Sequence, residues 1–437
     1  MNKYILTPLV AALTVALTAC GGSSSNSDNT TPTTPGSNGG NSNQAQTISL
    51  QALSYQCEID TPYQADIVFH NQDGNSIGSA KTDEQGLFSG ELPTGTKHLS
   101  VLGDVTDYQQ EEYTQILTEL DIENRNNLGK FYFENYNQNC GCEEYRVDTI
   151  NLGDIAAYYK VYKAGNELTD TVYICPGEEK LYLTAITESA VEAKAAVIAI
   201  PQDSKVIKLT EADFSHEGVE VAVQQTQENG YSSTRGYIEE ASKYQFVQFV
   251  SFSGDDSLFV FPTVTEHNFY VQVNSQKSNA NNVEVSFNSY ARSSVNADGS
   301  YIPTDLPEIS SGLGFDLMQF ANDSQLNFDF SNVDERFARA RWGYSFLVSD
   351  AAETRFDWDI SGGVSGQIPN LSFGSVFPEP VDQVVLEELT LLLYGYGGNA
   401  TDAQSYAKLL DTIAEGGHIT KPEFSNYVYL FMSAQLD

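Results

Sequence analysis

Residues 338–348 read Ala-Arg-Ala-Arg-Trp-Gly-Tyr-Ser-Phe-Leu-Val, and residues 354–360 read Thr-Arg-Phe-Asp-Trp-Asp-Ile. In the first run Ala338, Ala340, Trp342, Tyr344, Phe346 and Val348 take alternate positions, with Arg339 and Arg341 between them. In the second, Thr354, Phe356, Trp358 and Ile360 alternate with Arg355, Asp357 and Asp359. A period of two marks strands with one apolar and one polar face, and Ser349-Asp350-Ala351 supplies turn residues between them. Pairing Val348 with Ala352 sets Trp342 opposite Trp358, Tyr344 opposite Phe356 and Arg341 opposite Asp359. Cross-strand pairs of this kind contribute a few tenths to about 1 kcal/mol each. The apolar face admits two readings. It is core, or it is an aromatic platform of Trp342, Tyr344 and Trp358 on which sugar rings stack.

The same chemistry extends outward. Among 437 residues there are 25 Tyr and 23 Phe against 3 Met, and the 41% hydrophobic fraction is enough for real cores. Asn268 to Asn274 alternates with Phe269, Val271 and Val273 on one face, and Val283, Val285 and Phe287 repeat the pattern. Phe424 to Ser433 reads as a closing strand. One helix is predicted, Asp402 to Glu415, capped by Thr401 or Asp402, striped by Tyr406, Leu409, Leu410 and Ile413, and ended by Gly416. The expected fold is mainly β: tandem immunoglobulin-like or transthyretin-like β-sandwich domains with one short C-terminal helix. The expected units are residues 47–140, 141–225 and 226–437. In the second unit, strands are predicted over 156–163, 171–175, 180–186 and 195–200, with two more within 203–223.

In the first unit, Ala65-Asp66-Ile67-Val68-Phe69-His70 leads into Asp73-Gly74-Asn75 and then Ile77 to Lys81. Thr82-Asp83-Glu84-Gln85-Gly86-Leu87-Phe88, Leu92-Pro93-Thr94-Gly95 and Leu99-Ser100-Val101 follow. Gly74, Gly86 and Gly95 supply the positive φ that tight reversals need. Two further strands, Tyr113 to Ile122 and Leu128 to Tyr136, complete the unit. The pattern over residues 64–103 resembles the carboxypeptidase-regulatory-like, transthyretin-like sandwich family. That resemblance implies a spacer or interaction module with no catalytic residues to carry over. Where that family has a glycine-rich strand entry, this chain has Thr61-Pro62-Tyr63-Gln64-Ala65.

The N-terminus points to a location. Lys3 precedes an apolar run from Ile5 to Leu17, too short to span a bilayer with comfort, and Leu17-Thr18-Ala19-Cys20 follows. The tetrapeptide resembles the bacterial lipoprotein lipobox. It implies a signal peptide over 1–19 and lipidation at Cys20, with a diacylglyceryl group and an N-acyl chain that together anchor firmly. Gly21 stands where an Asp would retain a lipoprotein in the inner membrane, so the resemblance implies the outer membrane. Residues 20–46, rich in Gly, Ser, Asn, Thr and Pro, suit a flexible tether with a reach of roughly 25–30 Å.

Cys57, Cys140, Cys142 and Cys175 remain, an even set in an exported chain, so two disulfides are expected. Cys140 and Cys142 are too close to pair with each other without strain. That leaves Cys57–Cys140 with Cys142–Cys175, or Cys57–Cys142 with Cys140–Cys175. A four-thiolate metal site would want paired Cys-x-x-Cys spacing, which is missing.

The formal charge of −37 repels phosphate backbones, so no nucleic-acid partner is expected. The sequence contains no Gly-x-Ser-x-Gly elbow, His-Glu-x-x-His pair, phosphate-binding loop or dinucleotide fingerprint, and His70, His98, His216, His267 and His418 are scattered singly. A serine–histidine set or carboxylate pair assembled only by folding stays open. Residues 71–75, 254–257 and 296–299 carry oxygen ligands at alternate positions, but their Asp-Gly-like chemistry is that of hairpin turns. No cofactor is expected. The sequence thus predicts a non-enzymatic envelope lipoprotein, attached to the membrane through its lipid, that presents β modules to a protein or glycan partner. The alternative is an envelope-anchored hydrolase or carbohydrate-binding protein with its site in the C-terminal region.

Overall fold

The computed structural model describes residues 46–56, 59–136, 141–189, 191–224, 229–240, 243–247, 257–280, 282–321, 326–348, 354–377, 384–396, 403–415, 421 and 424–436. Cys20 with its signal and nearly all of the tether, Cys57, Cys140, residues 254–256, and the caps Thr401 and Asp402 lie outside the described residues.

The protein is mainly β. Its dominant element is a twelve-stranded sheet. In chain order its strands are β1 (Asp66–His70), β2 (Ser76–Lys81), β3 (His98–Thr106), β4 (Glu112–Glu119), β5 (Gly230–Glu240) and β6 (Lys243–Val247). They continue with β7 (His267–Ala280), β8 (Val283–Val295), β9 (Arg339–Val348), β10 (Thr354–Gly362), β11 (Val384–Gly395) and β12 (Tyr427–Gln435). The spatial order is β6-β5-β7-β8-β12-β11-β9-β10-β4-β3-β1-β2. Every neighbouring pair is antiparallel except β10 and β4, which run parallel with Arg355 beside Tyr113 and Ser361 beside Glu119. Strands from the first and last thirds of the chain therefore share one ladder. β12, predicted as a closing strand, lies inside the sheet between β8 and β11.

The β9–β10 hairpin forms, with a different register from the predicted one. Val348 pairs with Thr354, so Trp342 faces Ile360, Tyr344 faces Trp358 and Phe346 faces Phe356. Five residues rather than three connect the strands. A slip of two keeps every side chain on its own face, so the hydrophobic pattern constrains the faces and leaves this choice to the turn. Gly343 sits opposite Asp359, and Arg341, two residues earlier on the same face, still reaches the Asp359 carboxylate at 2.5 Å.

One face of the sheet is covered by α2 (Leu313–Ala321) and by residues 326–337 and 364–377. Leu317, Phe320, Phe328, Phe330, Leu371 and Phe373 pack there on Trp342, Phe346, Trp358, Leu391 and Met432. Over β1, β3 and β4 the opposite face is covered by a four-stranded sheet of Thr47–Gln56, Ile59–Pro62, Leu87–Glu91 and Asn127–Phe133. Ile48, Leu50, Ile67, Phe69, Leu99, Val101 and Phe133 fill that sandwich. The strand predicted over 128–136 thus belongs to the covering layer, parallel to Thr47–Gln56.

Between these parts of the chain, two further small sheets enclose Val147, Leu181, Leu183, Ile207, Leu209 and Phe214. Here residues Asp154–Tyr158 form a short helix, α1, where the sequence predicts a strand from 156; the strand begins at Tyr159. The predicted C-terminal helix is α3 (Ala403–Glu415), with Leu409 and Leu410 buried. α1 and α2 are helices the sequence reading omits. α2 is nine residues long with Gly314 inside it, so its propensity is weak and its form depends on packing against the sheet. Among the described residues no helix is long and apolar enough to cross a membrane.

Candidate functional site

Trp342, Tyr344 and Trp358 do not form an exposed platform. They are 1%, 3% and 8% exposed, and Phe320 stacks on Trp342 at 3.9 Å between ring centres. The apolar face of the β9–β10 hairpin is core because α2 and its flanking segments lie on it. The Trp342 indole N–H and the Tyr344 hydroxyl have no hydrogen-bond partner among the described residues.

Exposed rings occur on the other face, along the strands that the N-terminal sandwich does not cover. Ladder pairing sets Tyr231 beside Val273, Val273 beside Tyr290, Tyr290 beside Tyr429 and Tyr429 beside Tyr394, one row across β5, β7, β8, β12 and β11. At the usual strand spacing this row is about 19 Å long. Tyr290 and Tyr429 stack in parallel, 4.5 Å apart and 9° from coplanar. Tyr290 is buried, Tyr429 is half-buried and Tyr231 is 43% exposed. The next row is Ser275, Asn288, Phe431 and Leu392. Together with Tyr231, Val273, Tyr427 and Tyr429 these residues line an open cavity of about 460 Å³, within the range of small-ligand sites.

The supports of this groove are cationic and lie behind the rings. Arg292 is buried, donates to the carbonyls of Phe424 and Ser425 at 3.0 Å each, and sits over the rings of Phe269 and Tyr427. Arg235 lies 5.6 Å from the Tyr290 ring centre. Arg339 follows Tyr394 in the row and is held by Glu119 at 2.7 Å, which also takes Arg125 at 3.0 Å. Burial pushes the Tyr290 phenol up to about 12 against the opposing pull of Arg235 and Arg292, and it also raises Tyr427 and Tyr429. The phenols therefore stay protonated and uncharged. α3 closes one margin through Leu409 and Ile413, which pack with Tyr394, Tyr396, Phe424 and Tyr427. It approaches the N-terminal layer at Gly129, whose φ is +78° and where a Cβ would lie 2.6 Å from Ala414 Cα. Only glycine fits there.

A serine–histidine pair does assemble in the fold, but in the interior. His70 Nδ1 faces the Gly74 carbonyl at 3.3 Å, and Nε2 faces Ser100 Oγ at 2.9 Å. Ser100 contacts Thr118 Oγ1 at 2.7 Å, and the Trp358 indole N–H donates to Thr118 at 2.9 Å. An indole only donates and a carbonyl only accepts, so the chain has one consistent direction. Trp358 donates to Thr118, Thr118 to Ser100, Ser100 to Nε2, and Nδ1–H to Gly74. His70 and Ser100 are fully buried, so no substrate carbonyl reaches the serine. The chain links β10, β4, β3 and β1 across the parallel seam.

The remaining sequence candidates are placed as follows. Cys142 and Cys175 are disulfide-bonded, which is the pairing found in the first of the two predicted connectivities. In the turn at 71–75 Asn71 Oδ1 accepts the N–H groups of Asp73 and Asn75, and Asp298 accepts from Ser300. These oxygens serve their own turns. Among the described residues no three His, Cys, Asp or Glu side chains converge as a metal site would require. The tyrosine groove is absent from the sequence reading. Its signal was Tyr427-Val428-Tyr429-Leu430-Phe431-Met432, where aromatic residues occupy one parity and aliphatic residues the other. Compared with protein-family models, with curated proteins and with solved structures, the chain matches none.

Proposed function

We propose that this chain is a non-enzymatic lipoprotein of the outer membrane, tethered through Cys20, whose β body presents a binding surface. The observation that carries the binding part is the tyrosine groove. An open cavity lined by aromatic and aliphatic side chains with a few polar groups is the form that ligand sites take. The enclosed Ser100–His70 pair gives the hydrolase alternative no support. The address rests on the lipobox resemblance of Leu17-Thr18-Ala19-Cys20, and the tether holds the body clear of lipid headgroups. The first sandwich, with its turns at Gly74, Gly86 and Gly95, acts in this reading as the module that the carboxypeptidase-regulatory-like resemblance implies.

Two measurements test the proposal. Cells fed labelled palmitate should label the wild-type chain and not Cys20→Ala, and protease added to intact cells reports which side of the membrane the body faces. Label persisting in Cys20→Ala refutes the anchor. For binding, the full chain solubilised in detergent should co-sediment with cell-envelope fragments of the producing cells. Equal pelleting of wild type and a Tyr231→Ala/Tyr429→Ala variant refutes the groove as the binding surface.

A further inference from the structure

We infer that the groove takes a neutral polysaccharide, stacked on Tyr231 and Tyr429 and hydrogen-bonded at Ser275 and Asn288; this rests on the binding reading above. Charge supports this class of ligand. The chain holds 59 acids, yet none of the eight residues lining the cavity is an acid or a base. The arginines nearby are turned to carbonyls, rings and Glu119. A polyanion would approach against the field of a chain of net charge −37. A polycation would find its partners on the acidic surface elsewhere, not in an uncharged groove.

Shape and hydrogen bonding agree with this. The cavity is open rather than enclosed, with Tyr231 exposed and Tyr429 half-buried at its wall, so a segment of a sugar chain can reach both rings from solvent while α3 closes the Tyr394 margin. Aromatic rings offer stacking area at little cost in conformational freedom. Tyr231 and Tyr429 wall the cavity, while Ser275, Asn288, Phe431 and Leu392 lie in the adjoining row. Asn288 Oδ1 accepts the Ser275 hydroxyl at 2.7 Å, which leaves the Asn288 amide N–H groups as donors for the groove. Alternating apolar C–H faces and hydroxyls are what a sugar chain presents, and aromatic walls beside amide and hydroxyl groups complement them.

The test is a microarray of neutral and acidic polysaccharides probed with the full chain in detergent, followed by titration of the bound polymers. We expect binding to a subset of neutral polymers and none to acidic ones. Tyr231→Ala should weaken it about fivefold to tenfold, the scale of one aromatic contact. Tyr231→Trp should keep or strengthen it, and Tyr108→Ala, which removes an exposed tyrosine in the turn between β3 and β4, should leave it unchanged. Binding to no neutral polymer, preference for acidic polymers, or equal losses from Tyr231→Ala and Tyr108→Ala would each overturn the inference. If envelope fragments still pelleted the wild type and not the double variant, the binding reading would stand while the polysaccharide inference fell.

Discussion

The buried His70 chain predicts a specific acid sensitivity. Burial lowers the His70 imidazole to about 4, from an ordinary value near 6.5. Its environment stabilises the neutral ring. Nδ1–H donates to Gly74, Nε2 accepts from Ser100, and a proton on Nε2 would face the hydroxyl that now donates to it. The folded imidazole therefore stays neutral where the unfolded one already takes a proton. Between pH 6.5 and 4 the unfolded state binds more protons, so stability contributed by this group is complete above pH 6.5 and is lost as the pH falls through 4. A depression of this size corresponds to about 3 kcal/mol, most of it gone by pH 4.5.

The acids complicate the raw profile. With a net charge of −37, partial protonation of carboxylates relieves repulsion over part of the same range. The decisive quantity is therefore a difference between proteins. Urea unfolding at pH 7.5 and at pH 4.5 should be compared for wild type and His70→Gln, which removes the titrating ring. His70→Gln lowers stability at pH 7.5, because a fitted hydrogen-bonded group is lost. Its further loss on acidification should be smaller than that of wild type by about 2–3 kcal/mol. Parallel losses in the two proteins would refute the reasoning, since His70 would then titrate alike folded and unfolded.

Other outcomes follow from single contacts. Glu119→Gln leaves Arg125 and Arg339 without their shared carboxylate at the seam and should cost about 3–5 kcal/mol in chemical unfolding; a loss under about 1 kcal/mol would mean that water screens the site. Tyr344→Phe removes a buried hydroxyl with no partner among the described residues and should raise stability by about 1 kcal/mol, so a clear destabilisation would show that the hydroxyl is satisfied. Peptide mapping without reduction should recover Cys142 linked to Cys175. Cys142→Ser should lower stability by about 3–4 kcal/mol for a loop with a sequence separation of 33 residues; unchanged stability would mean that the bond constrains little.

Much of the β architecture is legible because period-two patterning records which side of a strand meets a core. The alternation of Arg339–Val348 and Thr354–Gly362 survives in the fold, whereas around Phe269, Val271 and Val273 both faces of the strand are buried. The Asp73-Gly74 turn also survives, with Gly74 at φ +85°. It has a second role that no turn pattern records. A Cβ on Gly74 would lie 2.3 Å from the Asn370 carbonyl oxygen, so residues nearly three hundred positions away need that glycine too. The groove was illegible for a related reason. β12 is apolar on both parities, and only the placement of α2 on one side decides which parity becomes core. Tyr429 and Leu430 look equally buriable in the sequence; what covers each is a tertiary fact.

The parallel seam shows what apolar patterning cannot specify. Sliding β10 by two residues along β4 would keep Phe356, Trp358 and Ile360 on the core face and lose little burial. It would, however, carry the Trp358 indole N–H away from Thr118 and interrupt the chain through Ser100 to His70. An orphaned buried donor or acceptor costs about 1–3 kcal/mol, enough to outweigh competing registers whose apolar burial is nearly equal. The Glu119 carboxylate adds a second constraint, because it must meet Arg339 from β9 and Arg125 from its own segment together. The apolar residues therefore select the face and the polar ones select the register. This explains why a buried Ser–His pair lies at the junction of two distant parts of the chain: there it acts as an alignment device, and burial removes the access that catalysis would need.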